Sequence, residues 1–323
     1  MRFKTGDLKV FSGSASTELA ESICSRLGLS LSKLEITRFS DGEIGLEIGE
    51  TVRGKDVYII QSTCPPVNDK EGEKEITKEN LMELLIIIDA CRRASAARVN
   101  VVLPYYGYAR QDRKSRGREP VTAKLVANLI ETAGADRLIS FDLHSGQIQG
   151  FFDIPVDHLT ARRELTAYFE DILDKDFVVV SPDLGGVTRA RNFAKNLDIP
   201  LAIVEKRRPK PNVSEVIHII GNVEGKNCII VDDMIDTAGT IVNAAESLVK
   251  RGAKKVYITA THGIFSGNAV ERIENSVVEK CVVADTIPLG EKAKKCDKID
   301  IVTVADTLAV AIKKINNNES VSI

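Results

Sequence analysis

The sequence lacks the features that mark several classes of protein. None of its six cysteines falls in a C-x-x-C pair, so neither a disulfide framework nor a zinc knuckle is indicated. Its most apolar run, residues 84–88, is too short to span a bilayer, and the first residues carry no apolar stretch of signal-peptide length. We therefore expect a protein of the reducing cytoplasm that does not enter a membrane.

An excess of charge of one sign is also missing. Lys and Arg total 44 and Asp and Glu total 46, which gives a formal net charge of -2. Such a balance offers no global attraction to nucleic acid or to a membrane surface, and neither is expected as a partner. Any anion site must therefore be a local concentration of positive groups. The 323 residues suggest about two domains, on a soft prior of roughly 150 residues each.

Short β-branched runs alternate with helical patterns through most of the sequence. Continuously apolar strands between amphipathic helices predict an α/β fold with mainly parallel sheets covered by helices on both faces. Strands are predicted at residues 57–60, 99–103, 138–141, 177–180, 228–231 and 256–259, and helices at residues 80–96, 122–132, 188–197 and 240–250. Residues 34–39 and 44–48, joined across Asp41-Gly42, predict an antiparallel hairpin.

Two segments repeat one arrangement of a helix, a glycine cap, a strand and a histidine. His144 stands ten positions after Gly134 in the first segment, and His262 stands ten positions after Gly252 in the second. This repeated arrangement favours a chain built from two similar halves. The alternative is chance similarity in a repetitive α/β sequence. Mixed charges at residues 69–79 predict an exposed loop.

The clearest candidate site lies at residues 229–240, where an apolar strand leads to Asp232 and Asp233 and then to a turn rich in Thr and Gly before a helix. Backbone N–H groups and the helix dipole at such a turn suit a phosphate dianion. The two carboxylates could accept hydrogen bonds from neighbouring hydroxyls, as in a ribose. The alternative is an ordinary helix cap, since Thr and Asp also favour caps.

Two segments concentrate basic residues. Residues 110–118 contain five of them, and residues 206–211 contain four together with Pro209 and Pro211, which favour an irregular segment over a helix. Either cluster would satisfy a polyphosphate, although each alone could be ordinary solvated surface.

The familiar nucleotide-binding loops are absent. Residues 49–56 approach a Walker A loop, but Asp56 stands where Ser or Thr is required, and the segment precedes a strand instead of following one. No two glycines stand two apart, so G-x-G-x-x-G is missing and a dinucleotide fold gains no support. ATP, if it binds, is held without either loop.

Residues 229–240 resemble the fingerprint of the type I phosphoribosyltransferase fold. Residues 39–43, 141–155, 180–186 and 261–267 further resemble the ribose-phosphate diphosphokinase family, also called phosphoribosyl diphosphate synthetases, and the resemblance covers nearly the whole chain. It implies two similar phosphoribosyltransferase-like domains, each a mainly parallel sheet flanked by helices. The expected bounds are residues 1–156 and 157–311, with the tail 312–323 completing the first domain.

The resemblance also implies a reaction and its site residues. Ribose 5-phosphate and Mg-ATP would yield phosphoribosyl diphosphate and AMP, with Mg²⁺ as cofactor. Among the matching positions, the ATP-binding residues are Phe39, Asp41, Glu43, Arg110 and Gln111, and the ribose 5-phosphate-binding residues are Asp232, Asp233, Asp236, Thr237, Ala238, Gly239 and Thr240. The metal-associated residues are His144 and Asp183, and the catalytic cations are Lys206 and Arg208. Because Mg²⁺ prefers oxygen ligands, Asp183 is the better candidate of its pair.

Regulation and assembly follow from the same resemblance. It implies a hexamer built from dimers, with phosphate and ADP as effectors, and the matching effector-site positions are Arg53, Arg118, Ser320 and Ser322. The charged stretch at residues 70–79 is longer than in common family members. Two alternatives stay open: a phosphoribosyltransferase that consumes the diphosphate, and a non-catalytic regulatory paralogue of the synthetase.

Overall fold

A computed structural model describes residues 7–64, 78–173, 176–207 and 216–321, with backbone only at residues 78, 206, 207, 216 and 217. The chain forms two compact units. One comprises Met1–Leu159, Thr286–Pro288 and Thr303–Ile323, and the other comprises Thr160–Asp285 and Leu289–Val302. The domain bounds inferred from the resemblance stay a prediction.

The first unit is built on a five-stranded parallel sheet with the order β1-β4-β5-β6-β7. Its elements are β1 (Leu8–Ser12), α1 (Thr17–Leu27), β2 (Leu34–Arg38), β3 (Ile44–Ile48), β4 (Asp56–Ile60), α2 (Lys78–Arg93), β5 (Arg98–Leu103), α3 (Thr122–Ala133), β6 (Arg137–Phe141), a short 3₁₀ helix (Gly146–Phe151) and β7 (Val156–Leu159). Strands β2 and β3 form a separate antiparallel pair, which confirms the predicted hairpin. Burial of the whole of β4 fits a strand covered on both faces.

The second unit is built on a seven-stranded sheet with the order β10-β9-β8-β11-β12-β13-β14, parallel except between β9 and β10. Its elements are α4 (Arg162–Glu170), β8 (Phe177–Ser181), α5 (Val187–Leu197), β9 (Leu201–Arg207), β10 (Val216–Ile220), β11 (Asn227–Ile235), α6 (Gly239–Lys250), β12 (Lys255–Gly263), α7 (Ala269–Glu274), β13 (Val278–Ala284), α8 (Glu291–Lys294) and β14 (Ile299–Val302). The predicted α/β fold with two mainly parallel sheets is confirmed.

Three predicted element boundaries are wrong. Strand β9 continues to Arg207 because β10 pairs with it, so the backbone of Lys206 lies in a strand and not in the predicted basic loop. Strand β11 continues to Ile235 because β12 runs beside it, which places Asp232 and Asp233 inside the strand. Helix α2 begins at Lys78, within the stretch predicted as an exposed loop, of which residues 69–77 lie outside the described residues.

Helix α9 (Ala305–Asn316) follows β14 in the sequence and belongs to the first unit. The carboxylate of Asp56, which has no exposed surface, accepts hydrogen bonds from Arg98 Nε at 2.8 Å, Asn100 Nδ2 at 2.9 Å and Asn316 Nδ2 at 2.8 Å. Because a buried carboxylate is tolerated only when paired and hydrogen-bonded, this cluster fixes the end of α9 to the sheet. The Walker-like segment thus leads into a strand whose first residue is structural.

Two further findings concern the cysteines and the length of the helices. All six cysteines lie in the described part of the chain as buried free thiols. Within the described residues, no helix combines the length and the apolar character that crossing a bilayer requires.

Candidate functional site

The turn between β11 and α6 presents backbone donors at the start of a helix. It consists of Asp236, Thr237 and Ala238, with Gly239 as the first helical residue. Ala238 has a φ of 59°, a left-handed conformation that residues with a side chain adopt rarely. No side chain caps the start of α6, and in the described part of the chain the N–H groups of Thr237 and Ala238 meet no acceptor. The arrangement suits an external anion.

An acidic pair lies just before this turn. Asp232 and Asp233 share the guanidinium of Arg189, whose Nη1 atom lies 3.1 Å from Asp232 Oδ1 and 3.4 Å from Asp233 Oδ1. Asp233 is buried, and its N–H donates to Asp232 Oδ1 at 2.9 Å. Burial, together with the hydrogen bond and negative charge of Asp233, raises the pKa of Asp232 to about 7, against the opposing charge of Arg189. Near neutral pH the pair can therefore both accept and donate hydrogen bonds.

The turn after β8 adjoins the same cluster, because β8 and β11 are neighbours in the sheet. Asp183 is exposed there, and its Oδ1 accepts the N–H of Gly186 at 2.8 Å. A Cβ atom added to Gly186 would lie 3.6 Å from Asp183 Oδ1 and 3.8 Å from Arg189 Nη1. An exposed carboxylate, a guanidinium and the acidic pair thus meet at the carboxyl edge of two parallel strands, where open α/β sheets bind ligands.

Two arginines of this region escaped the sequence analysis. Arg189 reaches the acidic pair from the first turn of α5, and Arg272 of α7 donates to the carbonyl of Thr237 at 2.7 Å. Neither stands near its partner in the sequence. The only signal that could have found Arg189 is its place in a helix that follows a strand, combined with a strand order that the sequence does not reveal.

In the first unit, the β2–β3 hairpin presents an aromatic ring. Phe39 is 61% exposed, and a Cβ atom added to Gly45 would lie 3.2 Å from its Cε2 atom, so the ring lies against β3. The turn is closed by the N–H of Gly42 donating to the Phe39 carbonyl at 2.9 Å and by the N–H of Glu43 donating to Asp41 Oδ1 at 3.1 Å. Such a held, exposed ring can stack on a planar base.

The basic segment after β5 is organised by hydrogen bonds. Gln111 secures the start of α3, since its Oε1 accepts the hydroxyl of Thr122 and its carbonyl accepts the N–H of Ala123 at 3.2 Å. Glu119, which the sequence analysis did not single out, accepts the N–H groups of residues 115 and 116 at 2.8 and 2.9 Å. Arg110, which directly precedes Gln111, is exposed, so this hydrogen-bonded segment carries a cation at the surface.

Comparison with known proteins identifies the family. Residues 8–134 match the N-terminal domain of ribose phosphate pyrophosphokinase, and residues 187–323 match the phosphoribosyl synthetase-associated domain. Ribose-phosphate pyrophosphokinase 1 of Listeria innocua is 58% identical over 316 residues, which cover 98% of this chain and 96% of that protein. The chain belongs to the ribose-phosphate pyrophosphokinase family.

Further members of the family agree. Ribose-phosphate pyrophosphokinase of Fusobacterium nucleatum is 55% identical over 318 residues, covering 98% of this chain and 97% of its own. The crystal structure of phosphoribosylpyrophosphate synthetase from Mycobacterium smegmatis matches with a TM-score of 0.87 and 42% identity, covering 97% of this chain and 99% of that one. The predicted family is confirmed, and with it the two-sheet fold.

The remaining predicted positions are spread over both units. His144 is exposed after β6 in the first unit, whereas Asp183 belongs to the second. Arg53 and Arg118 are exposed in turns of the first unit, and Ser320 is exposed after α9. Arg208 and Ser322 lie outside the described residues, as does the side chain of Lys206.

The side chains predicted to bind Mg²⁺ can be compared with the ligands that this ion prefers. Among the described residues, no three His, Cys, Asp or Glu side chains cluster as a metal site. Mg²⁺, however, commonly takes one or two carboxylates and completes its shell with water and substrate phosphates. The exposed carboxylate of Asp183 fits that requirement, and the imidazole of His144 fits it less well.

Proposed function

We propose that this chain converts ribose 5-phosphate and Mg-ATP into phosphoribosyl diphosphate and AMP. The relatives at 55% and 58% identity are named ribose-phosphate pyrophosphokinases and are covered almost completely. The observation that carries the proposal is the acidic pair on β11, followed directly by a turn at a helix start whose Thr237 and Ala238 N–H groups meet no acceptor among the described residues.

The sugar phosphate is assigned to the second unit. Its 5-phosphate would accept hydrogen bonds from the backbone and hydroxyl groups of the turn, formed by Asp236, Thr237, Ala238, Gly239 and Thr240. Its ring hydroxyls would meet Asp232 and Asp233, which Arg189 keeps paired. Helix-terminal N–H groups favour a dianion, and carboxylates favour neighbouring hydroxyls, so the two ends of the ligand are distinguished by charge.

The nucleotide is assigned to residues of the first unit. The exposed ring of Phe39 would stack on the adenine, with Asp41 and Glu43 beside it on the same hairpin. Arg110 and Gln111 would contact the phosphates from the segment that precedes α3. In the family resemblance this hairpin serves a neighbouring subunit, which is one reason to propose a homo-oligomer.

The transfer itself balances simply. The oxygen of the C1 hydroxyl forms a bond to the β-phosphorus, the bond from that phosphorus to the oxygen it shares with the α-phosphorus breaks, AMP leaves with that oxygen, and the hydroxyl proton is released. Lys206 and Arg208 would stabilise charge on the transferred group. Mg²⁺, when bound, neutralises phosphate oxygens, and Asp183 would hold it with His144 as the second candidate. A Lys206→Ala variant that turns over normally would remove this residue from the proposal.

The proposal extends to assembly and control. We propose a hexamer built from dimers, with phosphate and ADP acting at Arg53, Arg118, Ser320 and Ser322. The exposure of Arg53, Arg118 and Ser320 is compatible with a shared effector. A cytoplasmic location is supported by the six buried free thiols, which a reducing compartment preserves.

A phosphorus NMR time course tests the reaction. The purified chain, Mg²⁺, ATP and ribose 5-phosphate, with no nucleobase present, are expected to give AMP and phosphoribosyl diphosphate in equal amounts. Without ribose 5-phosphate no AMP should form. A chain that acts only when phosphoribosyl diphosphate and a nucleobase are supplied is a phosphoribosyltransferase, and a chain that does neither is a regulatory paralogue.

A further inference from the structure

Residues 264–272, which comprise the loop after β12 and the first four residues of α7, make several contacts with the backbone of the β11–α6 turn. The N–H groups of Ile264 and Phe265 both donate to the carbonyl of Ile235, at 2.9 and 3.1 Å. The ring of Phe265 lies over Gly263, where an added Cβ atom would come within 2.6 Å of its Cε2 atom. These contacts begin where β11 and β12 stop pairing, so residues 264–272 continue the hydrogen bonding of the sheet along the turn.

Two more carbonyls of the turn are held by the same segment. The N–H of Ser266 donates to the Asp236 carbonyl at 3.0 Å, and the guanidinium of Arg272 donates to the Thr237 carbonyl at 2.7 Å. Three consecutive carbonyls, those of residues 235, 236 and 237, therefore all point towards residues 264–272.

That orientation fixes the opposite side of the turn. The described peptide bonds are all trans, and in a planar trans peptide the C=O and the N–H point in opposite directions. The N–H groups of Asp236, Thr237 and Ala238 are therefore directed away from residues 264–272. These are donors of the turn assigned to the 5-phosphate.

Arg272 is the one side chain among these anchors. Besides its bond to Thr237, its Nη1 atom lies 3.7 Å from the position of a Cβ atom added to Gly239, so the guanidinium stands beside the start of α6. A cation on the Thr237 carbonyl polarises the peptide that ends in the Ala238 N–H and strengthens that donor. It also places one positive charge close to the site of a dianion.

We propose that Arg272 is a positioning residue for ribose 5-phosphate, acting through the Thr237 carbonyl to orient and polarise the donors that receive the 5-phosphate. The inference rests on the proposed function, because it needs the turn to be the phosphate site. Arg272 touches neither the C1 hydroxyl nor the nucleotide in this assignment, so its loss should be felt in ribose 5-phosphate binding.

Steady-state kinetics of Arg272→Met and Arg272→Lys test the proposal. Loss of a charged hydrogen-bond partner predicts a KM for ribose 5-phosphate raised about tenfold or more in Arg272→Met, with the KM for ATP and kcat within about threefold of wild type. Arg272→Lys keeps the charge and one donor, and should recover at least half of the loss on a logarithmic scale. Arg251→Met is the matched control, since Arg251 is exposed at the other end of α6 and should leave both KM values unchanged.

The outcomes separate the two levels of inference. If the wild-type chain forms AMP only with ribose 5-phosphate but Arg272→Met keeps a normal KM for that sugar, or raises both KM values equally, the role of Arg272 is overturned and the function stands. If the wild-type chain forms no AMP, the proposed function itself fails. Should Arg272→Met not fold, Arg272→Lys decides: a KM for ribose 5-phosphate raised about threefold with ATP unaffected supports the role, and an unchanged value overturns it.

Discussion

The β1–α1 turn of the first unit and the β11–α6 turn of the second both lead from a strand into a helix. Their backbone N–H groups differ in whether they have hydrogen-bond acceptors within the described part of the chain. Between β1 and α1, the N–H and the hydroxyl of Ser14 donate to the two carboxylate oxygens of Glu83, at 2.6 and 2.9 Å, and the N–H of Ala15 donates to Gln61 Oε1 at 3.1 Å. Between β11 and α6, the N–H groups of Thr237 and Ala238 meet no acceptor in the described part of the chain.

The difference lies in where the negative charge comes from. Glu83 is only 1% exposed and also accepts from Gln61 Nε2 at 2.8 Å, so the first unit fills its turn with a carboxylate of its own. In the second unit the side chain of Arg272 offers a donor behind the turn, and the carboxylates of Asp232 and Asp233 before the turn are held by Arg189. The β1–α1 turn is therefore closed, because a carboxylate of the protein accepts its donors. The β11–α6 turn is open, because its donors are available to an external anion.

Placing a further carboxylate in the open turn, at the position after Asp236, should make it resemble the closed one. In Thr237→Asp, repulsion between the new charge and the phosphate dianion is expected to raise the KM for ribose 5-phosphate by at least about 100-fold, while the KM for ATP changes little. Thr237 is exposed, so the substitution needs no repacking. Steady-state kinetics with each substrate varied in turn measure both constants.

The neutral variant Thr237→Asn is the control for shape. It should raise the KM for ribose 5-phosphate far less than Thr237→Asp does, because it removes a hydroxyl without adding charge. If both variants raise the KM for ribose 5-phosphate equally, charge repulsion is not the cause, and the turn does not bind the phosphate dianion. The proposed difference between the two turns would then be wrong.

The closed turn should respond in stability and not in substrate binding. Glu83→Gln keeps the shape but replaces a charged acceptor by an amide that must face several donors, which should lower the free energy of unfolding by about 2 kcal/mol. Urea denaturation measures this loss. A KM for ribose 5-phosphate that rises with Glu83→Gln while stability holds would show that the first turn also serves the substrate.

How far the sequence could anticipate this contrast depends on the distance between partners along the chain. The acidic pair, the Thr- and Gly-rich turn and the helix that follows are contiguous in the sequence. A strand, a turn and a helix start can each be predicted from such a local pattern of residues. Glu83, Arg189 and Arg272 reach their turns from other helices, and only the strand order brings them there. Glu83 in addition stands within an apolar helical pattern, where a charge suggests an exposed face and not a buried acceptor.

Strand ends were missed for a related reason. The apolar run that predicts β11 stops at Val231, yet the strand continues through Asp232 and Asp233, because β12 supplies pairing partners out to Gly263. Likewise Lys206 and Arg207 lie in β9 because β10 pairs with them. Hydrophobic periodicity marks the buried part of a strand, whereas its full length is set by the neighbour.

The acidic pair supplies a charge-based test within the open site. Asp232→Asn is expected to raise the KM for ribose 5-phosphate about tenfold and to leave the KM for ATP within about twofold, since only the sugar's hydroxyls are assigned to it. Equal effects on both substrates would contradict that assignment. Arg163→Met, an exposed arginine of α4, provides a control for charge changes elsewhere in the unit.

The same variant has a pH signature with a definite sign. The pKa of Asp232 is raised to about 7 in the folded chain, so between about pH 4 and pH 7 the folded state holds more protons than the unfolded one. This group therefore contributes stability below about pH 4 that is lost as the pH rises through about 7. The free energy of unfolding of Asp232→Asn relative to wild type should then grow by about 2–3 kcal/mol between about pH 5 and pH 8. A difference that stays constant or shrinks would show that Asp232 carries its charge at no cost.

The smallest expected effect concerns backbone strain, which of the two turns only the β11–α6 turn shows. Ala238 has a φ of 59°, whereas among the described residues of the β1–α1 turn none has a positive φ. Glycine adopts that conformation without the clash of a Cβ atom, so Ala238→Gly should raise the free energy of unfolding by about 0.5 kcal/mol, net of the extra freedom of the unfolded chain. Ala167→Gly, at an exposed position within α4, should instead lower it by about 1 kcal/mol. The methyl group of Ala238 is buried and that of Ala167 is exposed, so lost burial works against the expected gain. Opposite signs in parallel urea titrations would therefore show that relief of the left-handed φ outweighs the lost burial, and an equal loss in both variants would mean that the turn holds Ala238 without strain.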